Sequence, residues 1–503
     1  MRTTSPFLSK SKYLSGLQCH KLLWFQYNAK DQIPAFDAQT QAIFDQGNLV
    51  GELARKLYPN GIEIVGVAND FGKILGLSKE VLSHRRPLFE AAFKSGNAFA
   101  RADILNPVGR NEWEIVEVKS STQVKEVNLH DLALQRYAYE GAGLAISRCC
   151  ILHIDNEYVR KGEIDPKKLF KKVDVTEQVA SLIKSVGPNL RTMAGVIAQK
   201  RYPEVEIGPH CSDPYGCPLT ELCWKFLPED NPLTLYYFKK EKAFDLIHQG
   251  QLDIWKLPAS IELSDKQQIQ VEALRTDKTY VDKNGIREFL GQLEYPLYYL
   301  DFETFGTAIP LYDDVSPYQQ IPFQYSLHIV DAEGKKPKHE SFLADGAKDP
   351  RPEILRTLKN SLGQKGSIVA YNASFEKDKL KKAVEVYEQY IDGYSKIENR
   401  FVDLLVPFKA FSYYNPNQHG SASMKAVLPA LTGKSYEGLE IKEGGTASLE
   451  YLRVTFGKVT EKERQKVRKQ LEEYCAMDTK GMVDIVEELQ RLLAPQSAIL
   501  IGD

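Results

Sequence analysis

Apolar residues in the second half of the chain predict two buried strands and a long final helix. Residues 297–304 begin with apolar and aromatic side chains and end in an acid, an aromatic and a second acid. This composition is typical of a buried strand that stops at a polar edge. Residues 367–371 form a second apolar strand, residues 372–376 open a helix, and the final helix is predicted to run to about Leu493.

The first half of the chain has a different order of patterns. Residues 8–25 are typical of a short amphipathic helix, and strict alternation over residues 112–121 predicts a strand that pairs in a hairpin with residues 99–105. Helical spacing recurs elsewhere in this half. The predicted helices are 39–57, 87–94 and 130–139.

The middle of the chain is more polar and helical. Helices are predicted over residues 237–249 and 266–273, as a plain helical linker or a helix–hairpin–helix-like module. A chain of 503 residues is too long for one core. We expect domains over residues 1–228 and 295–503, with residues 229–294 as the linker.

Composition changes this picture little. The net charge of -2, with 43% hydrophobic and 26% charged residues, is ordinary for a soluble globular protein and allows a nucleic-acid enzyme with local basic grooves. No run is long enough to span a membrane, and residues 1–11 lack the apolar core of a secretion signal. The segment 432–435 ends like a phosphate-binding loop, but Leu428 stands where that loop needs glycine, which excludes a nucleotide triphosphatase.

Asp301 and Glu303 are the first candidates for chemistry. Residues two apart on a strand point to the same side, so both carboxylates are expected on one face. Such crowding is costly unless a cation neutralises it, and oxygen ligands suit Mg²⁺ or Mn²⁺. The alternative is a solvated turn at the end of the strand.

Further residues downstream extend this pair into a motif set. Asn372 and Glu376 begin the helix after the second strand, and Tyr474 and Asp478 share a face of the final helix. The set resembles the DEDD exonucleases of the proofreading, ribonuclease-H-like type, in the version with tyrosine. The resemblance implies an α/β domain over residues 295–503 with four metal-binding carboxylates, Tyr474 near the attacking water, and Asn372 on the nucleic acid. Glu376 replaces the family's usual aspartate.

Two segments near these motifs have two readings each. Asp403 is either an additional carboxylate or the N-cap of the helix that follows, and the second reading is favoured. The aromatic and polar residues 413–421 form either a platform that stacks bases or a plain surface loop.

A second acidic pattern lies in the first half. Asp103 on one strand, Glu117 and Lys119 on the next, and Gln135 and Tyr139 on the following helix resemble the RecB-type branch of the PD-(D/E)XK nucleases. By that resemblance Asp103 and Glu117 bind the metal, Lys119 polarises water or phosphate, and Gln135 and Tyr139 contact the nucleic-acid backbone. The usual metal-binding histidine is replaced by Gly51, and Glu90 is the candidate substitute. The alternative is an exposed Glu–Lys pair on a hairpin.

The cysteines form a third pattern. Cys211, Cys217 and Cys223 are evenly spaced, and Cys19 lies far upstream. Structural zinc sites prefer closer knuckles, whereas three clustered cysteines and a distant fourth can hold an iron–sulfur cluster. The layout resembles the iron–sulfur RecB-type nucleases, which implies a [4Fe–4S] cluster rather than zinc. Cys149, Cys150 and Cys475 are expected to be packing residues.

The whole arrangement resembles domain-of-unknown-function family 2779, whose members begin with sequences like residues 8–19 and carry the Leu-Asp-Phe-Glu-Thr motif of residues 300–304. We therefore expect a cytoplasmic, metal-dependent nuclease that acts on single-stranded ends of DNA or RNA, in repair or defence. The competing hypothesis is a nucleic-acid-binding scaffold in which one or both sites are inactive and the cysteines hold a structural metal.

Overall fold

The computed structural model describes residues 7–65, 70–346 and 348–494. The chain divides into two units. The first comprises Met1–Phe226 and Thr307–Tyr318, and the second comprises Leu227–Gly306 and Gln319–Asp503. Both mix helices with a sheet, which confirms the α/β class.

The first unit is built on a six-stranded sheet in the order β1-β2-β3-β4-β5-β6. Its strands are β1 (Ile62–Glu63), β2 (Leu88–Ser95), β3 (Ala98–Val108), β4 (Glu112–Lys119), β5 (Ala145–Ile154) and β6 (Phe170–Asp174). The β1/β2 and β4/β5 pairs are parallel and the other pairs are antiparallel. The predicted hairpin is therefore confirmed as β3 and β4.

Helices cover this sheet. They are α1 (Lys10–Gln18), α2 (His20–Asn28), α3 (Ala38–Arg55), α4 (Phe71–Glu80), α5 (Glu126–Gly141), α6 (Pro166–Leu169), α7 (Thr176–Ile197) and α8 (Thr220–Trp224). The predicted helices 39–57 and 130–139 are confirmed as α3 and α5. The single helix expected over residues 8–25 is two helices, because the backbone at Cys19 is extended (φ -158°, ψ 119°).

The predicted helix over residues 87–94 is wrong, because this segment is β2. Its alanines favour a helix locally, but tertiary packing overrides that preference. Ala91 and Ala92 are fully buried, and their small side chains let helices approach the strand closely. The Ser78 hydroxyl on α4 accepts a hydrogen bond from the Ala92 amide (2.9 Å), and the Tyr139 hydroxyl on α5 donates to the Ala91 carbonyl.

The segment Thr307–Tyr318 belongs to the first unit although it lies between two strands of the second. Arg160 binds it by donating to the carbonyls of Pro310 (3.0 Å) and Leu311 (2.7 Å). Ala308 and Ile309 pack into an apolar cluster with residues of α3, β4 and β5. The segment is thus a built-in part of the first unit's core.

The second unit has a five-stranded sheet in the order β10-β9-β8-β11-β12 and a separate β13/β7 pair. Its strands are β7 (Tyr280–Val281), β8 (Leu297–Phe305), β9 (Ile321–Val330), β10 (Lys338–Leu343), β11 (Ile368–Ala370), β12 (Phe401–Asp403) and β13 (Tyr413–Tyr414). β8, β11 and β12 run parallel, and β9 and β10 continue the sheet in antiparallel fashion. The predicted strands 297–304 and 367–371 are confirmed as β8 and β11.

Ten helices complete the described part of the second unit. They are α9 (Lys240–His248), α10 (Asp265–Thr276), α11 (Lys283–Leu290), α12 (Arg351–Ser361), α13 (Ser374–Val386), α14 (Ile391–Ile397), α15 (Val406–Lys409), α16 (Met424–Thr432), α17 (Gly444–Phe456) and α18 (Glu461–Leu493). α18 ends where predicted and packs against β8 and β9 through a buried face that includes Leu471, Cys475 and Met482. Among the described residues, no helix is both long and apolar enough to cross a lipid bilayer.

Candidate functional site

Four carboxylates from three elements converge in the second unit. Asp301 and Glu303 lie on β8, Glu376 lies in the first turn of α13, and Asp478 lies on α18. β8 is central in the sheet, β11 beside it leads into α13, and α18 packs across β8. The topology thus brings acids from distant parts of the sequence to one place.

Burial raises the pKa of all four groups, and repulsion from the other acids of the site adds to it at Asp301 and Glu303. Burial, followed by the charges of Asp478, Glu303 and Glu376, raises the pKa of Asp301 well above its usual value. Burial raises the pKa of Glu303 to about 8, with Asp478 and Glu376 adding to the effect. Burial also raises the pKa of Glu376 to about 8 and that of Asp478 to about 6. The carboxylates are therefore close enough to disfavour their simultaneous ionisation.

The four acids lack a direct ionic partner in the described part of the chain. Within the described residues, none of the four forms an ion pair with lysine, arginine or histidine. Glu376 is only 2% exposed, and its Oε2 atom has no hydrogen-bond partner. A buried, unpartnered carboxylate oxygen beside three other acids is a donor set that fits a divalent cation with oxygen preference.

Two tyrosines and a lysine surround the acids. The Tyr436 hydroxyl donates a 2.5 Å hydrogen bond to Asp478 Oδ1, and its ring centroid lies 6.2 Å from that of Tyr474. Burial and the charges of Asp478, Glu303 and Asp301 hold the pKa of Tyr474 well above its usual value. The charge of Lys425 lowers the pKa of both Glu303 and Asp478, and that of Lys379 lowers the pKa of Glu376. The sequence interpretation missed Tyr436 and Lys425, since neither belongs to a recognisable motif.

Cys475 and Asp403 border this site. The Cys475 thiol lies 3.8 Å from Asp301 Oδ2, and ligand atoms of Cys475, Asp301 and Glu303 are all within 4.8 Å of one another. Burial and the adjacent acids hold the pKa of Cys475 well above its usual value, which keeps the thiol protonated and a poor metal ligand. Asp403 Oδ1 accepts from the amides of Asn372 (2.9 Å) and Leu405 (3.0 Å), but its predicted role as N-cap of the following helix is wrong, because the N-cap of α15 is Leu405.

The first unit holds a different cluster, in which acids are already paired. Lys10 Nζ lies 2.8 Å and 3.0 Å from the two oxygens of Glu117. Lys119 Nζ binds Glu117 (2.8 Å) and Asp131 (2.9 Å). Burial and Asp103 favour a raised pKa for Glu117, but the two lysines outweigh them and hold it below its usual value. Two buried acids thus meet two cations.

Two predicted roles in this cluster need correction, and a third predicted residue is already paired with arginines. Gln135 is fully buried and donates to Glu117 (2.7 Å) and Asp131 (3.0 Å), so it supports the acids rather than contacting a nucleic-acid backbone. Tyr139 is also fully buried, with its hydroxyl bound within the sheet at β2 and β3. Glu90 is engaged by two arginines, Arg55 (3.0 Å) and Arg101 (2.7 Å), which compete with any metal for its oxygens.

The remaining predicted residue, Asp103, accepts a 2.7 Å hydrogen bond from the Val118 amide and acts electrostatically on Glu117. The sequence interpretation did not include Lys10 or Asp131. Asp131 could have been found, because it lies one helical turn before Gln135 on α5. Lys10 could not, because its contact with Glu117 spans 107 positions.

Replacing Lys10 with methionine is expected to destabilise the first unit by about 2 kcal/mol, because Glu117 then keeps only one of its two cations. Urea unfolding monitored by circular dichroism measures the loss, with Lys30→Met, at an exposed position, as the matched control. The double variant Lys10→Met/Glu117→Gln should recover part of the stability. If Lys10→Met unfolds at the same urea midpoint as wild type, Lys10 does not stabilise the buried Glu117 carboxylate.

Four cysteines of the first unit line one cavity. Cys19 at the α1/α2 junction shares it with Cys211, Cys217 and Cys223. Burial raises the pKa of Cys217 to about 11, and the other three thiols add to that effect. Gln18 ties α1 to this segment by donating to the carbonyls of His210 (2.8 Å) and Tyr215 (2.7 Å). Cys149, Cys150 and Cys475 are buried instead.

Comparison with known proteins places part of this chain in context. Residues 298–423 match the family model described as Domain of unknown function (DUF2779), a span that includes Asp301, Glu303 and Glu376 but not Asp478. The chain is similar to the uncharacterized MG366 homolog of Mycoplasma pneumoniae, with 28% identity over 265 residues that cover 48% of this chain and 39% of the relative. It is also similar to the uncharacterized protein MG366 of Mycoplasma genitalium, with 27% identity over 285 residues that cover 51% and 42%. The aligned region thus spans about two fifths of each relative's length.

Proposed function

We propose that the protein is a metal-dependent nuclease whose second unit is a DEDD-type, ribonuclease-H-like exonuclease domain. The observation that carries the proposal is the convergence of Asp301, Glu303, Glu376 and Asp478, with the Glu376 Oε2 atom buried and unpartnered. Such crowding is tolerable when divalent cations occupy the site. Its substrate would be a single strand of DNA or RNA, cleaved from the 3′ end.

The residues of this site have distinct proposed roles. The four carboxylates would hold Mg²⁺ or Mn²⁺, which supplies activation of a water and stabilisation of the leaving oxygen of a phosphodiester. Tyr474 would orient the attacking water through its hydroxyl. Tyr436 would hold Asp478 in position, because its hydrogen bond fixes one carboxylate oxygen. Asn372, exposed at the start of α13, would contact the nucleic-acid strand.

For the first unit we propose a PD-(D/E)XK-like domain with a nucleic-acid-binding role. Lys10 and Lys119 already neutralise Glu117 and Asp131. We therefore do not propose metal-dependent cleavage by the first unit. The second candidate function, a protein that binds nucleic acid with one site and cleaves it with the other, rests on this contrast between the two clusters.

For the four cysteines we propose an iron–sulfur cluster, with Cys19, Cys211, Cys217 and Cys223 as its ligands. Tetrahedral zinc requires sulfur atoms about 3.8 Å apart. Among the described residues, no three of these sulfurs lie within 4.8 Å of one another although all four line one cavity. Three thiols from one segment and a fourth from the distant α1/α2 junction, all at one cavity, suit a cluster of several irons.

Replacing Cys217 with serine is expected to abolish the brown colour of anaerobically purified protein and to lower the melting temperature, because the cluster links α1 and α2 to residues 209–224. Absorbance near 400 nm and iron analysis provide the measurement, and Cys149→Ser, at a buried position outside the cavity, is the matched control. Purification of wild-type protein with one equivalent of zinc and no iron would contradict the cluster assignment.

The experiment that tests the proposed function is a digestion panel with end-labelled oligonucleotides. Single and double strands of DNA and RNA, with free or blocked 3′ ends, are incubated with Mg²⁺, Mn²⁺ or a chelator. We expect stepwise shortening of single strands from the free 3′ end, only with a divalent cation. Intact substrates under all conditions would refute the nuclease proposal.

A further inference from the structure

The second unit contains a groove of about 500 Å³. Asn372 lines it and lies just before α13, the helix that carries Glu376. Met424 also lines it, and the Nζ atom of the next residue, Lys425, lies 5.9 Å from the ring centroid of Tyr436, the tyrosine that donates to Asp478. The groove is therefore lined by residues that lie close in sequence to Glu376 and to Lys425.

One residue that lines the groove, Tyr237, has an unusually exposed aromatic ring. Tyr237 is 81% exposed, the highest value among the large apolar and aromatic side chains in the described part of the chain. Its backbone is in the left-handed region (φ 50°), which is unfavourable for a tyrosine. The strained backbone at Tyr237 is not compensated by burial of its ring. Such uncompensated strain is typical of a residue that binds a ligand.

The backbone next to Tyr237 is held rigidly. The Tyr236 amide donates to Gln270 Oε1 and the Tyr236 carbonyl accepts from Gln267 Nε2, both at 2.9 Å. The Tyr236 ring packs on Phe411 (4.8 Å between centroids) and meets the Tyr237 ring edge to face (4.6 Å). These contacts fix the orientation of Tyr237, so one face of its ring is presented without a large entropic cost on binding.

We propose that this groove binds the single strand that enters the carboxylate site, with one base stacked on Tyr237. The inference rests on the proposed nuclease function and adds a substrate-binding site to it. Lys409 and Ser421 line the groove and can contact phosphate, and no carboxylate is among its described lining residues. A single strand offers unpaired base faces, which a blunt duplex does not, so stacking selects single strands.

The test measures binding of fluorescent oligo-dT, oligo-rU and a blunt DNA duplex by anisotropy, with full-length protein. An Asp301→Asn background with Mg²⁺ present prevents degradation of the probes. Tyr237→Ala should weaken binding of single strands by about 5- to 100-fold, the range for loss of one stacked base. Tyr237→Phe keeps the ring and should bind normally. Trp255→Ala removes another exposed aromatic ring of the second unit (43% exposed) and is the matched control.

The outcomes separate this proposal from the one it rests on. The groove proposal is supported if Tyr237→Ala binds oligo-dT, oligo-rU or both more weakly than wild type while its binding of the duplex is unchanged. The probe that is affected identifies the polymer that the groove binds. If wild-type protein cleaves single strands and Tyr237→Ala binds them as the Trp255→Ala control does, only the groove proposal is overturned. Equal loss in Tyr237→Phe overturns the stacking role. If the protein neither binds nor cleaves any probe, both proposals fail.

Discussion

Replacing Asp301 with asparagine is expected to reduce hydrolysis of single-stranded oligonucleotides by about a thousandfold, the scale on which loss of a central electrostatic contact acts. Asparagine keeps the size of the side chain and removes its charge, so the effect reports on metal binding rather than on packing. Initial rates of 3′-end shortening with saturating Mn²⁺ provide the measurement. Glu303→Gln and Asp478→Asn should show losses of similar size.

The matched control is Asp392→Asn, which removes an exposed acid from α14 of the same unit. It should retain wild-type activity and melting temperature. If Asp301→Asn protein of the same purity as wild type keeps full nuclease activity, the degradation does not come from the carboxylate site of the second unit. Since Asp301 is repelled by its neighbours, its loss should leave the fold intact, so inactivity cannot be attributed to unfolding.

The second large effect is a pH-dependent loss of stability in the absence of divalent cations. The folded-state pKa values of Glu303 and Glu376 are raised to about 8 and that of Asp478 to about 6. Unfolded carboxyl groups titrate near about pH 4, so between about pH 4 and 8 the folded state binds more protons than the unfolded state. Stability is then fully present below about pH 4 and is lost as the pH rises through about 8.

Differential scanning fluorimetry in a chelating buffer should show the melting temperature of the second unit falling between about pH 5 and pH 8.5. Mg²⁺ or Mn²⁺ should restore it by on the order of 5 °C at the higher pH and by less at the lower pH, where protons compete for the ligands. The double variant Asp301→Asn/Glu303→Gln should melt higher than wild type without metal and respond little to metal. A wild-type melting temperature that rises with pH in chelator would contradict the assigned pKa shifts.

The sequence predicted the elements that carry the second unit's acids because each depends on a local pattern. β8 and β11 are apolar runs flanked by polar residues, and α18 repeats apolar residues at helical spacing over many turns. In contrast, β2 was mistaken for a helix, since its alanines are explained only by the helices that pack on it.

The sequence likewise predicted the site residues that belong to local motifs and missed the partners that lie far away in the sequence. Spacing along one strand or one helix pointed to Asp301 with Glu303 and to Tyr474 with Asp478. The hydrogen bond from Tyr436 to Asp478 joins residues 42 positions apart, so no periodic pattern in the sequence predicts it. Lys10 pairs with Glu117, the predicted metal ligand, from 107 positions away, and no local pattern predicts that contact.

The membership of Thr307–Tyr318 in the first unit has a consequence for biosynthesis and for fragment design. During translation the first unit emerges without this piece and acquires it only after Leu227–Gly306 has left the ribosome. A fragment ending at Phe226 would lack the residues that bind Arg160, and one starting at Leu227 would expose Ala308 and Ile309 to water. The two halves should therefore be produced as one polypeptide, and aggregation of either fragment alone is the expected behaviour.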